Sequence, residues 1–224
     1  MTNLLFKIFE KVYILPQDDE VMEKPNKLKI LAASDIHGNS RIAASLAKKA
    51  EKENVDLVIL CGDTLGFFET KNIIKPFKEK NKRVLIIPGN HDGNEATDFV
   101  ASLYGIKNVH GYSTRYENVG FFGAGGADIG PGTISDEDLF KTLKKAHESL
   151  KGIEKKVMIT HMHPRGGKSE FSGFQGSKAI TKAIKEFKPN ILLHGHIHEA
   201  ENIEETIDKT RVINVGRKGT ILEI

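Results

Sequence analysis

The sequence predicts a single α/β domain with a polar site at the carboxyl ends of its strands. Three observations carry that prediction. Short β-rich apolar runs alternate with longer stretches of helical periodicity. Each run stops abruptly at polar residues, the pattern of buried strands whose functional loops follow them. The 224 residues are enough for one large core and demand no second one.

Residues 1–27 form an N-terminal extension. Leu4, Leu5, Ile8, Phe9 and Val12 recur at helical spacing, but Lys7, Glu10 and Lys11 interrupt them and no small-residue cleavage site follows. The stretch therefore reads as an amphipathic helix packed on its own domain, not as a signal peptide. A charged, proline-bearing segment precedes the domain proper, which spans 28–224. Strands are expected at 28–33, 56–60, 83–87, 156–160 and 190–193, and helices at 40–52, 69–80, 94–103, 135–150 and 177–187. Ser135, with Asp138 three residues on, and Ser177 after Gly176 are the expected helix caps. Residues 112–116 and 119–122 read as a hairpin, and 211–215 and 220–224 as a closing pair, so a second sheet is expected.

Hydrophobic residues make up 39% and charged residues 28%, the composition of a folded globular chain. A net charge of +3, from 33 basic against 30 acidic residues, creates no strong field for nucleic acid or a membrane surface. No apolar run approaches the roughly 20 residues needed to cross a bilayer. The single cysteine, Cys61, cannot form an internal disulfide and sits in an apolar run, which fits a buried thiol in a reducing cytoplasm.

The chemistry lies where the apolar runs end. Asp35-Ile36-His37-Gly38-Asn39 follows the first run, Gly62-Asp63 the second and Gly89-Asn90-His91-Asp92 the third. His161-Met162-His163 and His194-Gly195-His196-Ile197-His198 follow two later ones. Seven of the nine histidines fall in these segments, a clustering that surface solubility does not produce. Each fragment alone is commonplace, a turn or a capped loop. Together they form a donor set of imidazole nitrogen and carboxylate oxygen suited to manganese, iron or zinc. Asp35 with His37, or His196 with His198, can converge on one ion or diverge to two. With Asp63 as a bridge, two ions about 3.5–4 Å apart could share a hydroxide.

These segments resemble the calcineurin-like metallophosphoesterases, whose signature runs D-x-H, G-D, G-N-H-[DE], a lone His, then G-H-x-H; all five blocks occur in order. The resemblance covers 28–224 and implies a four-layer α-β-β-α sandwich of two mixed sheets. It implies two divalent transition metal ions, one on Asp35, His37 and His198, the other on Asn90, His161 and His196, with Asp63 bridging. It gives His91 a catalytic role at the leaving-group oxygen, and Asp92 is the carboxylate expected to hold that imidazole protonated. Thr64-Leu65-Gly66 replaces the D-R-G continuation of serine/threonine protein phosphatases, and Asp92 replaces their glutamate. The compact G-N-H-D form is more similar to small prokaryotic phosphoesterases related to cyclic-nucleotide phosphodiesterases.

Asn39, Arg165 and Lys168 are candidate substrate contacts, the last two on a glycine-rich segment, 164–178, that also holds Phe171 and Phe174 and could form a lip. His163 reads as an incidental neighbour, His194 as structural, and His110 and His147 as solvated. The glycines of 123–132 read as tight turns, because no P-loop lysine follows. The expected activity is hydrolysis of a small phosphomonoester or phosphodiester, including nucleotides, by a metal-bound hydroxide. Homodimerisation is an open expectation. Two other readings remain, a repair-type nuclease, against which the near-neutral charge and the lack of an obvious DNA-capping domain argue, and a non-catalytic metal-binding scaffold, which would have to retain the whole motif without using it.

Overall fold

The computed structural model describes residues 27–66 and 72–224. The amphipathic stretch around Leu4 to Val12 and the first residues of the expected 69–80 helix lie outside them. In chain order the strands and helices are β1 (Lys29–Ala33), α1 (Ser40–Lys52), β2 (Leu57–Cys61), α2 (Lys75–Glu79), β3 (Arg83–Ile87), α3 (Asn94–Tyr104) and β4 (Lys107–Asn108). There follow β5 (Ser113–Tyr116), β6 (Val119–Ala124), α4 (Asp136–Glu148), β7 (Lys155–Thr160), α5 (Lys178–Phe187), β8 (Ile191–His194), β9 (Glu204–Ile207), β10 (Thr210–Asn214) and β11 (Thr220–Glu223).

Two mixed sheets result, ordered β11-β1-β2-β3-β4 and β5-β6-β7-β8-β10-β9. Strand alternation explains why the apolar runs are continuous. Ile30, Ala32, Leu57, Ile59, Leu85 and Ile87 of the first sheet meet Phe121, Val157, Ile159 and Leu193 of the second in one cluster. The intervening residues, such as Leu31, Val58, Leu60 and Ile86, face the other way and pack with Ala43, Leu46, Phe77 and Val100 of α1, α2 and α3. On the far side Phe122, Met158 and Leu192 pack with Leu139 and Leu143 of α4 and with Ile180 and Ile184 of α5. Both faces of each sheet are thus covered, giving the four layers α-β-β-α.

The helix starts follow local chemistry. Asn39 Oδ1 accepts from the backbone N of Arg41 and Ile42, both at 3.1 Å, and so caps α1. Ser135 caps α4 by accepting from Asp138 N at 3.1 Å, and Ser177 caps α5 by accepting from Ile180 N at 3.2 Å, as the sequence predicts.

The closing pair is not a pair. β10 runs parallel to β8 and antiparallel to β9 in the second sheet, whereas β11 runs antiparallel to β1 in the first. The chain changes sheets between them, through left-handed turns at Gly216 and Gly219 with φ of 56° and 69°. Two strands were also invisible to pattern reading. β4 has only two residues, and β9 is a half-exposed edge strand of Glu, Glu, Thr and Ile.

If the two sheets are joined through the central cluster, emptying it should be expensive. Phe121 is fully buried there, so Phe121→Ala should lower unfolding free energy by about 3–5 kcal/mol in urea titration. A loss below about 1 kcal/mol would contradict this packing.

Candidate metal centre

The carboxyl ends of β1, β2 and β3 meet those of β7 and β8, and backbone hydrogen bonds lock the loops that follow. Asp35 N donates to Gly62 O at 3.1 Å, His37 N to Asp63 O at 2.8 Å, and Gly195 N to His161 O at 3.0 Å. The two sheets are joined at the site itself: His196 N donates to Asp35 Oδ2 at 3.1 Å, and the His161 ring lies 2.9 Å from Cys61 O through Nδ1. Four of the seven expected ligands, Asp35, His37, Asp63 and His196, hold left-handed backbone angles with φ of 58°, 48°, 48° and 69°. Such angles cost non-glycine residues roughly 1–3 kcal/mol each and persist only where the surroundings impose them. Gly62 beside them leaves room for the His161 ring, since a Cβ there would lie 2.5 Å from Nδ1.

Asp63 is the centre of the cluster. Its Oδ1 accepts from His91 N at 2.8 Å. Its Oδ2 faces three imidazoles, with His161 Nε2 at 3.4 Å, His37 Nε2 at 3.7 Å and His91 Nε2 at 3.9 Å. On one side His198 Nε2 lies 3.5 Å from Asp35 Oδ1. On the other, Asn90 Oδ1 lies 2.9 Å from His161 Nε2 and 3.0 Å from His196 Nδ1. Ligand-type atoms of Asp35, His37 and His198, and those of Asp35, Asp63 and His161, each lie within 4.8 Å of one another. All seven residues expected to hold metal are therefore gathered in one place.

The electrostatics are those of groups competing for positive charge. Burial alone would raise the Asp63 carboxyl, yet the hydrogen bond and charge of His161 hold it well below the usual carboxylate range. Burial alone would lower His161, yet the Asp63 and Asp35 carboxylates raise it to about 9. His196, half-buried and beside His161, is pushed down to about 4 by desolvation and the His161 charge. Asp35 is lowered against its own burial, chiefly by the neighbouring His198 imidazole, with His161 adding to it.

A divalent cation fits these residues. Cys61 O only accepts, so it fixes a proton on His161 Nδ1, and Nε2, which lies beside Asp63 and Asn90, is the nitrogen whose lone pair an ion would take in place of its proton, the outer-shell arrangement that orients a metal-binding imidazole. Asp35 Oδ1 is buried with no hydrogen-bond partner among the described residues, and an ion between it and His198 would coordinate it. Oxygen and imidazole donors without thiolate suit a borderline transition metal.

The remaining candidates are placed as follows. His91 is exposed, its ring 5.0 Å from that of His37, on the open side of Asp63. Asp92 does not face it. Its carboxylate is buried and accepts from Thr64 N at 3.0 Å, and burial with the neighbouring Asp63 charge pushes its carboxyl up to about 7. Asn39 is occupied by its cap on α1. Arg165 donates to Gln175 Oε1 at 2.6 Å, and Lys168 Nζ to Glu204 O at 3.3 Å, so both cations are engaged within or beside their own segment. That segment forms a short helix, Lys168–Ser172, that packs against the turn His198–Ala200, with Phe171 and Phe174 exposed.

His163 is buried and donates to Phe174 O at 3.3 Å, anchoring the segment's far end. His194 is buried, and burial lowers it to about 3, so it is a neutral structural residue. His110 and His147 are half-buried rather than freely solvated: His110 Nδ1 accepts from Gly125 N at 3.0 Å, and His147 stacks on Phe187 at 4.6 Å. The glycines of 123–132 do form turns, and they brace the site, because Gly132 N donates to Asn90 O at 2.9 Å. Pattern reading missed Ser34, whose Oγ donates to Cys61 O at 3.0 Å, and Arg217, whose Nε donates to Asp35 O at 2.7 Å. Neither belongs to a histidine or carboxylate motif, so only proximity reveals them.

Ions that bind only the folded chain must stabilise it. Manganese at about 100 times its Kd contributes about 2.7 kcal/mol, or roughly 5–10 °C in Tm for a domain of this size. Thermal unfolding with and without manganese should show that rise, and Asp63→Asn should abolish it; an equal rise in the variant contradicts the centre.

The model of the calcineurin-like phosphoesterase superfamily domain matches residues 28–221. No curated protein matches the chain in sequence. Among solved structures, TT1561 of Thermus thermophilus is 20% identical, with a TM-score of 0.71 over 88% of this chain and 99% of that one. A dimetal phosphatase from Danio rerio is 12% identical, with a TM-score of 0.61 over 85% and 88%. A structure described as a novel archaeal phosphodiesterase is 19% identical, with a TM-score of 0.51 over 88% and 99%. At these identities the structures share the fold, and it is the domain match, over nearly the whole described chain, that shows the family: this protein belongs to the calcineurin-like phosphoesterase superfamily.

Proposed function

We propose that the protein hydrolyses small phosphate esters, monoesters or diesters including nucleotides, at a centre of two divalent transition metal ions. The observation that carries this reading is the position of Asp63 Oδ2, within 3.7 Å of both His37 Nε2 and His161 Nε2, as a carboxylate shared by two ligand sets must be. Asp35, His37 and His198 would hold one ion, Asn90, His161 and His196 the other, and Asp63 would bridge them. Manganese is the first choice, with iron or zinc as alternatives of the same donor preference. When bound, such ions acidify coordinated water and neutralise charge on the phosphoryl oxygens.

The chain's own residues do the rest. Asp63 Oδ1 is fixed by His91 N, so the carboxylate and the His91 imidazole keep a constant relation. The exposed His91 ring, on the open side of Asp63, stands where a leaving oxygen can reach it, and its Nε2 can give that oxygen a proton. Asp92, buried against Thr64 N, holds the turn after β2 in place and acts on the centre through Asp63. A buried, unpaired Cys61 fits work in the cytoplasm.

Purified protein loaded with manganese should turn over nitrophenyl phosphate or bis-nitrophenyl phosphate. His91→Ala should lower kcat on the order of 10²–10⁴-fold while metal content, read by elemental analysis, stays unchanged. A folded, metal-loaded protein inert towards both esters and towards nucleotides would sink the proposal, and a variant as active as the parent would remove His91 from it.

A further inference from the structure

Beside the metal centre lies a groove that reaches beyond the ligand motifs. A cavity of about 90 Å³ is lined by Asp35, His198, Glu201, Gly216 and Arg217. A larger one of about 340 Å³ runs along α1, floored by Ile42 and Leu46 and rimmed by Lys49, Lys218, Glu201 and Arg217. Arg217 and Glu201 line both and mark the boundary between the metal side and the groove. Arg217 is anchored at one end, where Nε donates to Asp35 O at 2.7 Å. Its two terminal nitrogens have no hydrogen-bond partner among the described residues, and it forms no ion pair with Glu201 within 4.0 Å. Three cations face a single carboxylate here. That carboxylate is already engaged, since Glu201 Oε1 accepts from Lys218 N at 2.9 Å. Lys49 is tied by Nζ to Lys218 O at 3.0 Å and Gly219 O at 2.6 Å, which leaves Arg217 and the exposed Lys218 as the cations free to meet a ligand.

We propose that Arg217, helped by Lys218, binds a second anionic group of the substrate, while the apolar body of the same molecule lies on Ile42 and Leu46. The substrate class is then a phosphate ester with two separated anionic groups joined by an apolar or aromatic body, such as a nucleoside bearing two phosphates. This rests on the hydrolytic reading above, since it places the scissile phosphate at the metal ligands and its companion at Arg217. A guanidinium held by one nitrogen keeps its remaining planar fork for an anion, and that fork suits a phosphate better than a lysine does. The location adjoins His198, so an anion on Arg217 lies next to the ion that Asp35 and His198 would hold.

Adenosine 3′,5′-bisphosphate and adenosine 3′-monophosphate separate the second anion from everything else. Calorimetric titration of the full chain, with and without manganese, should give the bisphosphate a Kd about tenfold lower than the monophosphate, about one charge-assisted contact. Arg217→Gln should erase that preference and Lys218→Gln should reduce it, with folding checked by circular dichroism. Equal affinity for the two nucleotides in the parent protein overturns the inference. So does an Arg217→Gln variant that weakens both equally, the result expected if Arg217 only braces the Asp35 loop. If the preference exists and depends on Arg217 while neither nucleotide is hydrolysed, the anion-binding role of Arg217 stands, but the hydrolytic reading and the assignment of that anion to a substrate fall.

Discussion

A carboxylate withdrawn from water must have positive charge or hydrogen-bond donors beside it, and Asp63 is where this constraint is sharpest. Its side chain is 3% exposed, which without compensation costs several kcal/mol. One oxygen is satisfied by His91 N. The other faces three imidazoles, which carry charge only when protonated. The Asp63 and Asp35 carboxylates in turn raise His161 well above its usual range, so this imidazole is the one best placed to carry the compensating charge. Cations would meet it better, because they would satisfy Asp63, the orphaned Asp35 Oδ1 and the clustered Asn90, His161 and His196. Such a cluster is poor design for stability alone and good design for holding cations.

The four layers exist, in effect, to hold that geometry. Ligands come from two sheets, so the spacing between Asp63 and His161 is set by how β2 packs on β7 across the central cluster. Hydrogen bonds at the site, from His161 to Cys61 O and from His196 N to Asp35, tie the sheets at the same place. Helices on both outer faces supply the burial that sustains four left-handed, unfavourable backbone angles among the ligands. Packing energy from the whole domain thus offsets local strain, and the ligands arrive with little freedom left to lose.

Much of this was legible in the sequence, for a definite reason. Strands buried on both faces read as unbroken apolar runs, so their ends are sharp, and the residues after those ends are the candidate ligands. The strand at 83–87 and the helix at 40–52 fall where the pattern puts them. What escaped depends on relations between distant segments. Nothing local says that β10 and β11 join different sheets, because alternation looks the same in either. Asp92 follows His91 in sequence, yet successive residues point apart, and it turns into the protein to meet Thr64 N. His110 and His147 read as solvated because burial by β6 and α5 is a tertiary fact. Arg217 carries no motif and acquires meaning only through the Asp35 carbonyl it touches.

The central claim, that seven side chains grip a pair of cations about one shared carboxylate, is tested most directly by anomalous diffraction from manganese-loaded crystals of the protein. The account predicts two peaks about 3.5–4 Å apart on either side of Asp63, one beside Asp35, His37 and His198 and the other beside Asn90, His161 and His196. No peak at Asp63, or manganese bound only elsewhere on the molecule, contradicts it.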